Sequence, residues 1–197
     1  MLCFLPVIHQ INFIVIKYVK THRKFIMPNY QITPGITFTE LLYYDHPEAA
    51  AWVNGNAENP QLSGLVKFYQ TSYGGILIEA EIFGLPNISL PDSSNFYAIH
   101  IHETGDCSDN FEKTGSHYNP SLQEHPNHAG DLPPLLAQHG YSFSIFYDRR
   151  LTIPEILGRS VVIHEFPDDF TTQPSGNSGK KIGCGKIRPT ASYTGNH

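Results

Sequence analysis

From position 62 onward, apolar and polar residues alternate in short runs that end at turn-forming residues. In 62–69 (LSGLVKFY) and 75–83 (GILIEAEIF) the alternation has the period of two at which strand side chains share a face. The QTSYG segment between them predicts a hairpin. The same pattern predicts strands at 51–54, 96–103, 131–135, 141–147, 160–165 and 182–187, eight in all. Pro133 and Pro134 lack the amide hydrogen that a ladder uses, so the 131–135 strand is predicted to be short or at an edge. Residues 29–49 read as irregular chain with His46 in a turn. The intervals 104–127 and 166–181 are long for a compact domain, and ordered loops of that length usually carry function.

Composition supports an all-β reading. Fifteen prolines and sixteen glycines, with twelve phenylalanines and eleven tyrosines, suit short strands and turns better than a helical bundle. At 197 residues the chain can bury one core without disulfides. Of its thirteen basic residues, Lys17, Lys20, Arg23 and Lys24 lie in the first 27, which hold no acid, leaving nine basic against eighteen acidic in the remainder. That acidic balance argues against a nucleic-acid partner.

Residues 1–27 are an apolar run followed by the basic cluster. No small-residue cleavage site follows, and His9, Gln10 and Asn12 interrupt a run already short of a membrane span. The expected organisation is an N-terminal extension over 1–48, poorly structured or anchor-like, a domain over 49–190 and a tail over 191–197. Cytoplasmic placement is favoured, with export or N-terminal anchoring as the alternative, and a membrane is a partner only if that segment anchors.

The chemistry concentrates in His100 to Asp131, which holds five histidines. His100 and His102, one residue apart on a predicted strand, share a face while Ile99 and Ile101 point to the other, so one face binds and the other packs. His117 follows in GSHYNP, and His125, His128 and Asp131 in HPNHAGD, close enough for one loop to bring them to one ion. So many imidazoles crowded with a carboxylate gain nothing unless a cation sits among them. Three cysteines, Cys3, Cys107 and Cys184, are too few for a disulfide scaffold and form no C-x-x-C pair; one bridge or two buried thiols fit the spacing equally.

HIHETGD, GSHYNP, HAGDL, GRSVVIHE, the DD pair, GNSG and IGCGKI stand in the order of the copper–zinc superoxide dismutase motifs, and from about 51 to 188 the chain resembles that family. The short spacing of His125 and His128 is similar to its compact bacterial members. The resemblance implies an eight-stranded Greek-key β-barrel. It implies copper on His100, His102, His117 and His164, zinc on His117, His125, His128 and Asp131, and His117 as both bridging ligand and proton donor. Asp168 corresponds to the aspartate that accepts hydrogen bonds from one ligand of each ion, and Cys107 and Cys184 to the family's intrachain disulfide. The implied reaction is dismutation of superoxide to dioxygen and hydrogen peroxide.

Lys181 stands where the family has an arginine. It keeps the cation that attracts superoxide but loses the planar fork, so a lower rate is expected. The 166–179 loop also lacks steering lysines, which leaves Lys180 and Lys181 as the local attractors. Two other readings compete. One is a relative that binds copper or zinc without turnover, against which all seven ligand residues are present. The other is a cupin-type oxygenase, which would need a glutamate where Asp106 and Cys107 stand. Family members associate through different surfaces, so the sequence leaves a homodimer open.

Overall fold

The computed structural model describes residues 34–86 and 95–191. Every described residue belongs to one compact unit, 33–197. Residues 1–33 of the extension predicted over 1–48 lie outside the described residues, as does most of the 191–197 tail. No helix among the described residues is long and apolar enough to cross a membrane.

The alternating segments form β1 (Ala49–Gly55), β2 (Ser63–Gln70), β3 (Ile76–Phe83), β4 (Phe96–Tyr97), β5 (Ile99–His102), β6 (Leu135–Leu136), β7 (Ser142–Asp148), β8 (Ser160–His164) and β9 (Lys181–Pro189). Seven of them make one antiparallel sheet in the order β5-β8-β9-β1-β2-β3-β7, and β4 pairs with β6. Because β6 also runs alongside β7, the curled sheet closes toward a barrel. The β7–β8 connection crosses an end of the sheet, since those two strands are not adjacent in it. The predicted hairpin is β2–β3, with Ser63 opposite Phe83 and Gln70 opposite Ile76.

Three expectations change. The predicted 96–103 strand breaks at Ala98 into β4 and β5, whose partners are different strands. The 131–135 strand shrinks to Leu135–Leu136, because Pro133 and Pro134 cannot donate to a ladder. Residues expected to be irregular contain the helix α1 (Pro34–Tyr44). Its first residue is proline, whose fixed φ suits the first helical turn, and Phe38 packs onto Tyr147 with ring centroids 4.9 Å apart and onto Tyr73 at 6.3 Å. A second helix, α2 (Ile153–Ile156), was not foreseen and seats Ile153 and Ile156 in the core.

That core is built from the inward positions of the strands, among them Val66, Phe68, Ile78, Ile82, Ile99, Ile101, Val161 and Ile163. Ile99 and Ile101 thus face inward as the H-x-H alternation predicts. His100 and His102 are nonetheless buried too, because the loops 103–131 and 165–180 cover the outer face of β5 and β8.

Candidate metal centre

The edge of β5 that is not paired to β8 is where the two groups of ligands meet. The chain around 116–118 and 130–131 returns to that edge: Tyr118 N–H donates to Ile101 O (2.8 Å), Ile101 N–H to Gly130 O (2.9 Å), and Gly130 N–H to Tyr118 O (2.8 Å). Isolated bridges set Asp131 beside His100 and His117 beside His102. This approach depends on Gly130, where a Cβ would stand 2.2 Å from Ile101 O. His164 enters from β8, whose Val162 lies opposite His100.

Two sets of buried side chains result. His100, His102, His117 and His164 each offer a ligand atom within 4.8 Å of the other three, and so do His117, His125, His128 and Asp131. Atoms bound to one ion at about 2.1 Å lie within about 4.2 Å of one another, so both sets are close to a coordinating arrangement. All seven residues predicted from the sequence come together, and His117 belongs to both sets. Its Nδ1 lies 2.7 Å from Asp131 Oδ1, on the side of the second set, while its Nε2 is buried and has no hydrogen-bond partner.

The donor chemistry fits metal ions. His100 Nδ1, His117 Nε2, His125 Nδ1 and His128 Nδ1 are buried without hydrogen bonds, an arrangement that costs free energy unless a cation takes the lone pairs. His125 Nδ1 and His128 Nδ1 do lie 3.1 and 3.3 Å from Asp131 Oδ2, but out of line for hydrogen bonding, as groups converging on one point would be. In the first set His102 Nε2 and His164 Nε2 face each other at 3.2 Å. Imidazole nitrogens suit copper and zinc, and three imidazoles with a carboxylate suit zinc.

Outer partners turn these rings. Asp168 accepts from His100 Nε2 (3.0 Å) and from His125 Nε2 (2.8 Å), one ring of each set, so the carboxylate spans both. Gly176 allows this, since a Cβ there would stand 1.9 Å from Asp168 Oδ1. His102 Nδ1 donates to Gly115 O at 2.9 Å, and His164 Nδ1 points to Gly179 O at 3.4 Å.

Electrostatics follow from burial. Burial lowers the pKa of His100 to about 4, only partly opposed by its bond to Asp168. Burial also holds His102 and His164 well below the ordinary histidine value, reinforced by the neighbouring imidazoles. For Asp168 burial acts upward, but hydrogen bonds from His100, the Phe170 amide and His125 outweigh it and keep the carboxyl well below its usual range. Asp131 is likewise lowered, its burial outweighed by His117 and the other rings.

The first set opens on a cleft of about 400 Å³ lined by His102, His117, His164, Gly115, Ser175 and Lys181, among others. Lys181 Nζ is held at its wall by Gly115 O (3.2 Å) and Phe111 O (3.4 Å), with Glu112 Oε2 at 3.8 Å. The loop carrying those carbonyls is tied to β9 by the Cys107–Cys184 disulfide, so the bridge that spacing left open is formed.

Sequence reasoning missed two supports of the second set. Arg150 donates to His128 O (2.9 Å) and Asp131 O (2.5 Å) while paired with Asp148, so it clamps the backbone of that loop. Gln173 bonds to both backbone groups of His125. Neither stands in a motif; the Asp-Arg-Arg run at 148–150 was the only available signal, and it reads as surface charge. His46 and His139 are exposed and outside both sets.

Residues 62–187 match the family model described as copper/zinc superoxide dismutase. Extracellular Cu-Zn superoxide dismutase of Mus musculus is 36% identical over 136 residues, 64% of this chain and 53% of that protein. The copper chaperone for superoxide dismutase of Mus musculus is 33% identical over 144 residues, 66% of this chain and 50% of that protein. The chain thus spans about half the length of these curated relatives. Among solved structures, a double mutant of a superoxide-dismutase-like protein from Bacillus subtilis is similar with a TM-score of 0.60 at 30% identity, covering 69% of this chain and 94% of that one.

Proposed function

The chain belongs to the copper/zinc superoxide dismutase family, and we propose that it converts superoxide to dioxygen and hydrogen peroxide. In this reading residues 49–190 carry the activity, copper sits among His100, His102, His117 and His164, and zinc among His117, His125, His128 and Asp131. The observation that supports it best is the single ring of His117, shared by two buried ligand sets, with His102, His117 and His164 of the all-imidazole set lining the cleft.

Copper, when bound, supplies the one-electron change that lets one superoxide be oxidised and the next reduced. The protein supplies the remainder. Lys181, at the cleft wall, attracts the anion. His117 takes up a proton at Nε2 in one half of the cycle and passes it to the reduced superoxide in the other, where water supplies the second proton of hydrogen peroxide. Asp131, 2.7 Å from Nδ1, keeps the ring in place while Nε2 changes partner. Asp168 fixes His100 and His125 together, so the two sets keep their relative orientation.

The test is metal analysis of purified protein combined with a superoxide disproportionation assay. One copper and one zinc per chain, with rapid turnover that disappears when copper is withheld, is the expected result. The second reading, a protein that holds the metals without turnover, draws on the comparable similarity to the mouse copper chaperone. Tight binding of both metals without disproportionation would establish that reading instead.

A further inference from the structure

Two buried hydroxyls stand behind the two rings whose Nε2 atoms face each other. Thr114 Oγ1 lies 3.3 Å from His102 Nδ1 and donates its own proton to Phe111 O at 2.7 Å. Ser178 Oγ lies 3.2 Å from His164 Nδ1 and donates to Ser175 O at 3.0 Å. Both residues are almost completely buried, so water does not compete for either contact. A hydroxyl has one proton, and here a carbonyl holds it in each case; only a lone pair remains for the ring, which must then be the donor. The two hydroxyls sit on different loops, 103–116 and 165–180, yet repeat one arrangement: loop carbonyl, hydroxyl, Nδ1–H, ring, Nε2 toward the centre.

We propose that Thr114 and Ser178 are positioning residues that hold His102 and His164 in the Nδ1–H tautomer and tune the copper-side set, leaving the zinc-side set alone. The inference rests on the reading above for its metal, but its tautomer component does not need one. An outer acceptor on Nδ1–H fixes ring orientation and raises the basicity of the opposite nitrogen. A more basic nitrogen favours the more highly charged copper ion, so the hydroxyls should lower the reduction potential of the site.

The contacts also set an order. For His102 the Gly115 carbonyl, at 2.9 Å, is nearer than Thr114, whereas for His164 the Gly179 carbonyl, at 3.4 Å, is farther than Ser178. Ser178 is therefore the principal partner of its ring and Thr114 the secondary one of the other. Loss of Ser178 should have the larger effect.

The variants are Ser178→Ala, Thr114→Val and, to restore the hydroxyl, Thr114→Ser. In metal-free protein at pH 8, ring-nitrogen NMR should show His102 and His164 as Nδ1–H tautomers. His164 should become a tautomer mixture in Ser178→Ala, and Thr114→Val should disturb His102 less. In metal-loaded protein, Ser178→Ala should weaken Cu(II) binding by roughly tenfold or more. If Cu(I) binding is unchanged, that tenfold raises the potential by about 59 mV. Zinc affinity should stay within twofold of wild type, which also reports that the variants fold. Unchanged tautomers together with an unchanged potential in Ser178→Ala overturn the proposal, as does an equal loss of zinc and copper. If wild-type protein takes no copper on these rings, the functional reading fails, and the metal-free tautomer measurement still decides the role of the hydroxyls.

Discussion

The side-chain amide of Gln173 closes on both backbone groups of His125: His125 N–H donates to Gln173 Oε1 at 3.1 Å, and Gln173 Nε2 donates to His125 O at 2.7 Å. One side chain thereby imitates a strand partner and joins the two long loops at a residue of the second ligand set. Gln173→Ala removes both bonds and should lower stability by about 1–3 kcal/mol, at roughly 0.5–1.5 kcal/mol per bond. Zinc affinity should fall more than copper affinity, because His125 belongs to one set only. Thermal denaturation and chelator competition measure the two effects, and an equal loss of both metals would contradict the assignment.

Asp168 should behave differently. Its two oxygens serve His100 and His125, so Asp168→Ala leaves a buried ring N–H without an acceptor in each set. Loss of an outer partner of a ligand typically costs 10–100-fold in affinity, and here both metals should show it. Competition titrations in which only one metal weakens would show that the bridge does not couple the sets.

Lys181 already spends donors on Gly115 O and Phe111 O and has Glu112 nearby, so its ammonium is a tethered charge more than a free anion grip. Replacing it with methionine should lower kcat/KM by roughly tenfold and flatten its dependence on ionic strength, since steering of this kind contributes about 10–1,000-fold. Lys181→Arg, with more donors in a planar fork, should be faster than wild type at low ionic strength. Pulse kinetics across a salt series separate these outcomes, and an arginine variant no faster than wild type would remove the proposed handicap.

Acid should destabilise the metal-free protein within a defined window. His100 titrates near 4 in the folded state against 6.5 ordinarily, and His102 and His164 are also lowered. The unfolded chain therefore binds protons first as pH falls. Stability is fully present above 6.5 and declines from there to about 4, by on the order of 3 kcal/mol for His100 alone at about 1.36 kcal/mol per pH unit. Asp168 and Asp131, both lowered, lose their contribution only at still lower pH. Melting temperature from pH 8 to 4 should fall in that window without metal and resist it with copper and zinc bound, because ions keep the ligands deprotonated. A flat profile in metal-free protein would show that these rings are not held neutral by the fold.

The strands were legible wherever one face is buried and the other is not, as in Ser63–Gln70 and Ile76–Phe83, because the pleat prints a period of two on the sequence. Pro34–Tyr44 was illegible for the opposite reason: its Pro-Gly start resembles a turn, and Phe38 makes its ring contacts with tyrosines whose positions only the fold reveals. The break at Ala98 left no mark, since changing sheets alters neither alternation nor composition.

For the proposed centre, the sequence by itself supplied the candidate ligand residues. His100, His102, His117, His125, His128, His164 and Asp131 are the chemistry, and imidazole and carboxylate carry their affinities wherever they stand. Tertiary structure decided which atom of each ring is free. That choice depends on Asp168, Gly115 and Gly179, hydrogen-bond partners of ring nitrogens from loops whose paths are set by long-range pairing with β5, β8 and each other. Hydrogen bonds of this kind depend on distance and angle in space and leave no period along the chain. The run from His100 to Asp131 was therefore readable as a set of candidate ligands, while the orientation of their rings was not.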